Sequence, residues 1–216
     1  MSTPGQLFGP GGVTLRRVTK SEVLSRVPPL YRLLRAAKER LRAKGGHRDA
    51  PKRRLLRETA QEHALRVLIE TGTYMGETAW ALRRDFDRID TIELEPTLAR
   101  LARIRFARTQ NVRVYEGDSA AILPEILTEL REPALFWLDA HPSTDRSARD
   151  VPIPLRAELA AIARHPVRRH VMLIDDLQYL GQAGFPTRAE LELPGYRFEE
   201  IGSVGRLVPV DHASRL

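Results

Sequence analysis

The sequence contains no cysteine. That excludes a disulfide framework, thiolate-ligated zinc, an iron–sulfur cluster and a thiol nucleophile. Aromatic residues make up only 6% of its 216 positions, and Tyr31 is the one aromatic within the most basic stretch. The interleaved stacking residues of a single-strand nucleic-acid binder are therefore missing. No apolar run approaches the roughly 18–20 residues that a membrane-crossing helix needs, so no membrane span is expected. The first ten residues show neither the basic region nor the apolar stretch of a signal peptide, and the expected location is cytoplasmic.

What is present fits a water-soluble globular chain, 42% hydrophobic and 29% charged. The length suits one α/β domain with an added arm. The net charge of +7 is unevenly spread. Residues 1–57 hold 15 Lys and Arg against three acids (Glu22, Glu39, Asp49), whereas residues 58–216 hold 20 against 25. The chain reads as a basic N-terminal arm (1–57) on a mildly acidic body (58–216), which argues against nucleic acid as the partner of the whole.

In the arm, Leu30, Leu33, Leu34, Ala37 and Leu41 recur at helical spacing and Gly45-Gly46 ends the pattern. The connector from His47 to Arg54 contains Pro51, and Leu55 to His63 suits a short helix. Strand and helix patterns then alternate. Strands are expected at 66–70, 88–93, 112–115, 134–138 and 170–174. Helices are expected at 76–86, 96–107, 119–130 and 154–163, with a short one at 187–191. Tyr196–Ile201 and Val204–Val210 read as a closing antiparallel hairpin. The expected fold is α/β: a doubly wound, mostly parallel seven-stranded sheet with a C-terminal hairpin and an N-terminal helical arm.

Ligands in such sheets bind outside the carboxyl ends of the strands. Here those ends carry Glu70, Glu93, Gly117-Asp118-Ser119, Asp139 and Asp175-Asp176. The first turn, Glu70-Thr-Gly72-Thr-Tyr74-Met-Gly76, lacks the three glycines of a pyrophosphate fingerprint, and Glu70 would repel a diphosphate. A ligand with an ammonium and a ribose but no phosphate fits better. Gly72 lets the backbone approach it, the helix start near Gly76 can face a carboxylate, and Glu93 can accept from two ribose hydroxyls. These are the demands of S-adenosyl-L-methionine (SAM).

Residues from about Leu65 to Leu191 resemble class I SAM-dependent methyltransferases of the Rossmann-like type. They look most like the metal-assisted O-methyltransferases of the catechol and macrolide-sugar types. The matching segments are Leu68-Ile-Glu-Thr-Gly-Thr-Tyr-Met-Gly-Glu-Thr78, Thr91-Ile-Glu-Leu-Glu-Pro96, Gly117-Asp-Ser119, Phe136-Trp-Leu-Asp139 and Leu173-Ile-Asp-Asp176. The resemblance implies that Glu70, Gly72, Tyr74 and Thr78 line the methionine end. It implies that Glu93 holds the ribose and that Asp118 and Ser119 lie beside the adenine.

Asp139, Asp175 and Asp176 would converge if their strands are neighbours, and a hard divalent cation such as Mg²⁺ would relieve their repulsion. The resemblance places the family's metal ligands on the same three positions, with Asp139 also at the cofactor. Two departures stand out. Pro142 occupies the place of the catechol-type general-base lysine, and Gln178 that of the sugar-type histidine. His141 is then the nearest candidate for proton removal, in a polar connection that also carries Arg146 and Arg149.

The expected activity is transfer of a methyl group to a hydroxyl of a small molecule, such as a sugar, a polyketide or a catechol-like diol. Metal-independent transfer to nitrogen or carboxylate, and a non-catalytic SAM- or partner-binding module, are the alternatives. The arm's helix reads as a lid or a homodimer contact. An interfacial helix on anionic lipid, or a docking face for an acidic carrier protein, are further readings.

Overall fold

The computed structural model describes residues 50–139, 153–182 and 184–210. The expected helix from Leu30, most of the basic arm, and His141, Pro142, Arg146 and Arg149 lie outside them. Seven strands form one sheet: β1 (Val67–Thr71), β2 (Arg88–Glu93), β3 (Val112–Glu116), β4 (Ala134–Leu138), β5 (Val171–Ile174), β6 (Tyr196–Ile201) and β7 (Val204–Pro209). Their spatial order is β3-β2-β1-β4-β5-β7-β6. β1 to β5 are parallel, and β7 runs antiparallel to both β5 and β6. The strand order reverses beside β1, which has β2 on one side and β4 on the other. That reversal opens a crevice at the carboxyl ends of the strands.

Among the described residues, five α-helices accompany the sheet: α1 (Ala50–Glu62), α2 (Glu77–Leu82), α3 (Pro96–Phe106), α4 (Ser119–Glu129) and α5 (Leu155–Arg164). Every residue of β1, β4 and β5 is buried, as expected of parallel strands covered on both faces. Their side chains alternate between two apolar layers. Ile69, Phe136 and Met172 pack with Leu123 and Ile126 of α4 and Leu159 and Ile162 of α5. Leu68, Leu135 and Leu173 pack with Leu56 of α1, Leu82 of α2 and Phe106 of α3. No helix among the described residues is long and apolar enough to cross a membrane.

Three elements depart from the sequence expectation. α1 starts at Ala50, five residues early, with Pro51 in its first turn, where a missing N–H breaks no intrahelical bond. α1 packs its Leu56 and Ala60 into the apolar layer on the sheet. α2 stops at Leu82 rather than near Phe86. The Asn111 side-chain amide donates to the carbonyls of Arg83 and Phe86 at 2.8 Å each, fixing a turn where the pattern would continue the helix. The helix expected at 187–191 is a single 3₁₀ turn, Ala189–Leu191. There Glu190 accepts from the Thr187 N–H at 2.7 Å and is held by Arg156.

Polar ties join distant elements. Arg206 of β7 donates to Glu62 at the end of α1 (2.9 Å) and to Glu199 of β6 (2.6 and 2.8 Å). Beneath the sheet, the Ala134 N–H donates to His170 Nδ1 at 3.1 Å. The proton of His170 therefore sits on Nε2, which donates to His165 Nδ1 at 2.8 Å, and His165 Nε2–H donates to the Leu127 carbonyl at 2.9 Å. Burial, then the neighbouring His165, holds His170 down to about 4, so the His170 ring is neutral.

Candidate functional site

The carboxyl ends of β1 and β2 form the first half of the site. The chain leaves β1 through a turn in which Gly72 (φ 87°), Tyr74 (φ 49°) and Gly76 (φ 68°) are left-handed. Gly72 and Thr73 donate their N–H groups to the Ile92 carbonyl at 3.0 Å each, which fastens the turn to β2. Tyr74 is the instructive member, because a left-handed backbone is costly for a side-chain-bearing residue. Its N–H donates to Glu93 Oε2 at 2.6 Å, while the Glu95 N–H donates to Glu93 Oε1 at 2.9 Å. The Glu93 carboxyl is thus oriented by one backbone donor on each oxygen. A second lone pair remains on each oxygen for a vicinal diol. Burial raises its pKa, with a smaller push from the Glu95 charge, and the Glu95, Tyr74 and Leu94 N–H groups pull it back.

Glu70 lies one strand over, 2% exposed, and accepts from Thr91 Oγ1 at 2.7 Å. Burial pushes its carboxyl up to about 8, aided by Asp139 and Glu93, against the hydrogen bonds of Thr91 and Thr78. Thr78 therefore faces Glu70. Gly76 immediately precedes α2, and a Cβ there would stand 2.7 Å from Phe106 Cε2. Asp118 is exposed and caps α4, accepting from the Ala120 N–H at 2.9 Å, whereas Ser119 is buried. The structure gives Asp118 a capping task in addition to the one implied by resemblance.

The ends of β4 and β5 form the second half. Carboxylate oxygens of Asp139, Asp175 and Asp176 lie within 4.8 Å of one another, so the expected convergence is observed. All three are hard oxygen donors, and the set fits a divalent cation that keeps part of its water shell. Asp176 is left-handed (φ 61°) without being glycine. Asp175 accepts the Asp176 N–H on Oδ1 at 2.7 Å, and Gln178 Nε2 donates to Asp176 Oδ1 at 2.8 Å. Burial, then Asp139, raises the Asp175 carboxyl against the pull of Lys52.

Two residues of this half were not anticipated. Lys52, in the first turn of α1, is hydrogen-bonded and ion-paired through Nζ to Asp175 Oδ2. Burial alone would lower its pKa, but Asp175, Asp139 and Asp176 together raise it, so it is an ammonium. Sequence gave no signal for it, because residue 52 stood in an apparent connector. Glu158 of α5 is 1% exposed, and neither of its carboxyl oxygens completes a hydrogen bond. Burial pushes it up to about 7, although the Ser119 and Thr71 hydroxyls draw it down. It lines one pocket with Leu138, Asp139, Ile153, Leu155, Asp175 and Phe185. A signal existed here. Glu158 sits on the apolar stripe of Leu155, Leu159 and Ile162, where a solvated acid has no place.

No family model and no curated protein sequence matches this chain. Solved structures do. A methyltransferase from Geobacter sulfurreducens aligns over 88% of this chain and 94% of its own, at 15% identity and a TM-score of 0.55. An O-methyltransferase from Bacillus cereus in complex with S-adenosylhomocysteine (SAH) aligns over 73% and 80%, at 20% identity and a TM-score of 0.54. An O-methyltransferase from Streptomyces achromogenes involved in tomaymycin synthesis, solved with SAM, aligns over 74% and 81%, also at 20% and 0.54. The chain has the fold of these methyltransferases.

Proposed function

We propose that this protein is a SAM-dependent O-methyltransferase that acts on a hydroxyl of a small molecule, such as a sugar, a polyketide or a catechol-like diol, with the aid of a divalent cation. The observation that carries the reading is the Glu93 carboxyl, held by the Tyr74 and Glu95 N–H groups beside a glycine turn in a methyltransferase fold. A ribose diol is the ligand group that its remaining lone pairs suit. Glu70 takes the ammonium of the methionine moiety, and the Gly72–Gly76 turn lets backbone approach it. Ser119 and Asp118 border the adenine.

Bound there, SAM supplies a methyl group on a sulfonium; a C–O bond to the acceptor forms as the C–S bond breaks, leaving SAH. The acceptor's proton goes to a base, for which His141 is the candidate. Asp139, Asp175 and Asp176 would hold the cation, which supplies a Lewis acid for the acceptor hydroxyl. Lys52 on Asp175 favours a second reading, in which an ammonium already neutralises part of the cluster and transfer proceeds to nitrogen or carboxylate without metal.

Calorimetry with SAH tests the proposal. Micromolar binding is expected, weakened at least tenfold in Glu93→Ala while the circular dichroism spectrum is unchanged. Absence of binding at millimolar SAH would overturn it. Mass-shift screening of diol-bearing metabolites, with and without chelator, then separates the two readings.

A further inference from the structure

Each carboxylate oxygen of Asp175 already has a partner within the chain. Its Oδ1 accepts the Asp176 N–H at 2.7 Å and its Oδ2 carries the Lys52 ammonium. The residue is 3% exposed, so water takes little part in balancing its charge. The neighbouring carboxylates of Asp139 and Asp176 lie within ligand distance of one another and of Asp175. Each of the three also acts on Lys52 through charge. The same pocket is lined by Glu158, a buried carboxyl that faces the Ser119 and Thr71 hydroxyls. The edge is therefore rich in negative charge, and the chain itself supplies a cation to it.

From this arrangement we propose that Lys52 is the resident counter-ion of the carboxylate cluster and competes with a divalent cation for Asp175. A divalent ion and an ammonium on one carboxylate oxygen would stand within contact distance of each other. At such separations, with little water between them, like charges repel strongly. Entry of the ion thus displaces Lys52 from Oδ2. Lys52 lowers the cluster's affinity for the ion, and in the ion's absence it offsets the repulsion among the three acids. Lys52 is a positioning residue for the cluster, acting on Asp175 and not on the acceptor. The inference rests on reading the cluster as a cation site, the finer part of the proposed function, and not on methyl transfer itself.

The test is calorimetric titration of the full chain, stripped with chelator, with Mn²⁺ as the only added ligand. Wild-type protein is expected to bind weakly, and Lys52→Met at least tenfold more tightly. Lys52→Gln, a polar and shorter replacement, is expected to tighten binding in the same direction, so one poorly folding variant does not decide the matter. Thermal unfolding of each variant reports its folding, and Asp175→Asn is expected to remove the gain conferred by Lys52→Met. Equal or weaker Mn²⁺ affinity in both Lys52 variants would overturn the competition. Mn²⁺ binding by none of the proteins would overturn the cation site itself. SAH binding on the same samples reports separately on the transferase reading.

Discussion

At neutral pH the Glu70 carboxyl carries its proton, since burial pushes it up to about 8. An ammonium needs the carboxylate. On the proposed reading, pairing with the amino group of SAM or SAH would therefore release a proton from Glu70. The sign follows: below about pH 8 the affinity rises with pH, and above it the rise levels off as the free protein deprotonates unaided. SAH calorimetry from pH 6 to 9, repeated in buffers of different ionisation heat, is expected to show this release, and Glu70→Gln to abolish it. The acids at the strand ends were legible because each follows an apolar run, as Glu70 follows Val67-Leu-Ile69. Their protonation was not, because it depends on burial by residues far apart in sequence. Lys52 was illegible for a related reason. Its partner is 123 positions away, and no local pattern reports such a distance.

Elements were legible where periodicity alone decides them. The strand at 88–93 and the apolar one at 134–138 have the expected bounds. Ends were missed where a remote side chain does the terminating, as Asn111 does for α2. Proline has a position-dependent meaning, so Pro51 read as part of a connector but lies in the first turn of α1. Gly76 joins the turn to α2, with φ 68° and no room for a methyl group against the Phe106 ring. Gly76→Ala is expected to cost about 1–3 kcal/mol, read as a lower urea midpoint with an unchanged slope. The histidine relay ties β4, β5, α4 and α5 together, and its effect on stability has a definite sign. His170 titrates near 4 in the folded protein but near 6.5 when unfolded. The unfolded chain thus binds more protons in between. Stability falls as pH drops from about 6.5 to 4, by at most about 3 kcal/mol from this residue, and levels off below. Denaturant titrations across that range are expected to show the slope, and His170→Phe to flatten it at the expense of overall stability.

On the scale of the molecule, the alternation of strands and helices made the parallel sheet legible, and the change of period after residue 195 announced the closing hairpin. The insertion of β7 between β5 and β6 was not announced, because a hairpin pattern leaves open which strand meets the sheet. The bond from Arg206 to Glu62 gives α1 an anchorage at its C-terminal end that is separate from the Lys52–Asp175 contact at the other. One fastening is contested by an incoming ion, whereas the Arg206–Glu62 bond and the bidentate Arg57–Asp85 pair (2.9 Å each) are not, so the ion's effect on α1 is confined to its N-terminal part. Adding Mn²⁺ is expected to speed amide deuteration at Arg54–Leu56, the first N–H groups bonded within the helix, while Thr59–Glu62 keep their protection. A cation would in that way loosen one end of a helix whose other end stays bound to the closing hairpin.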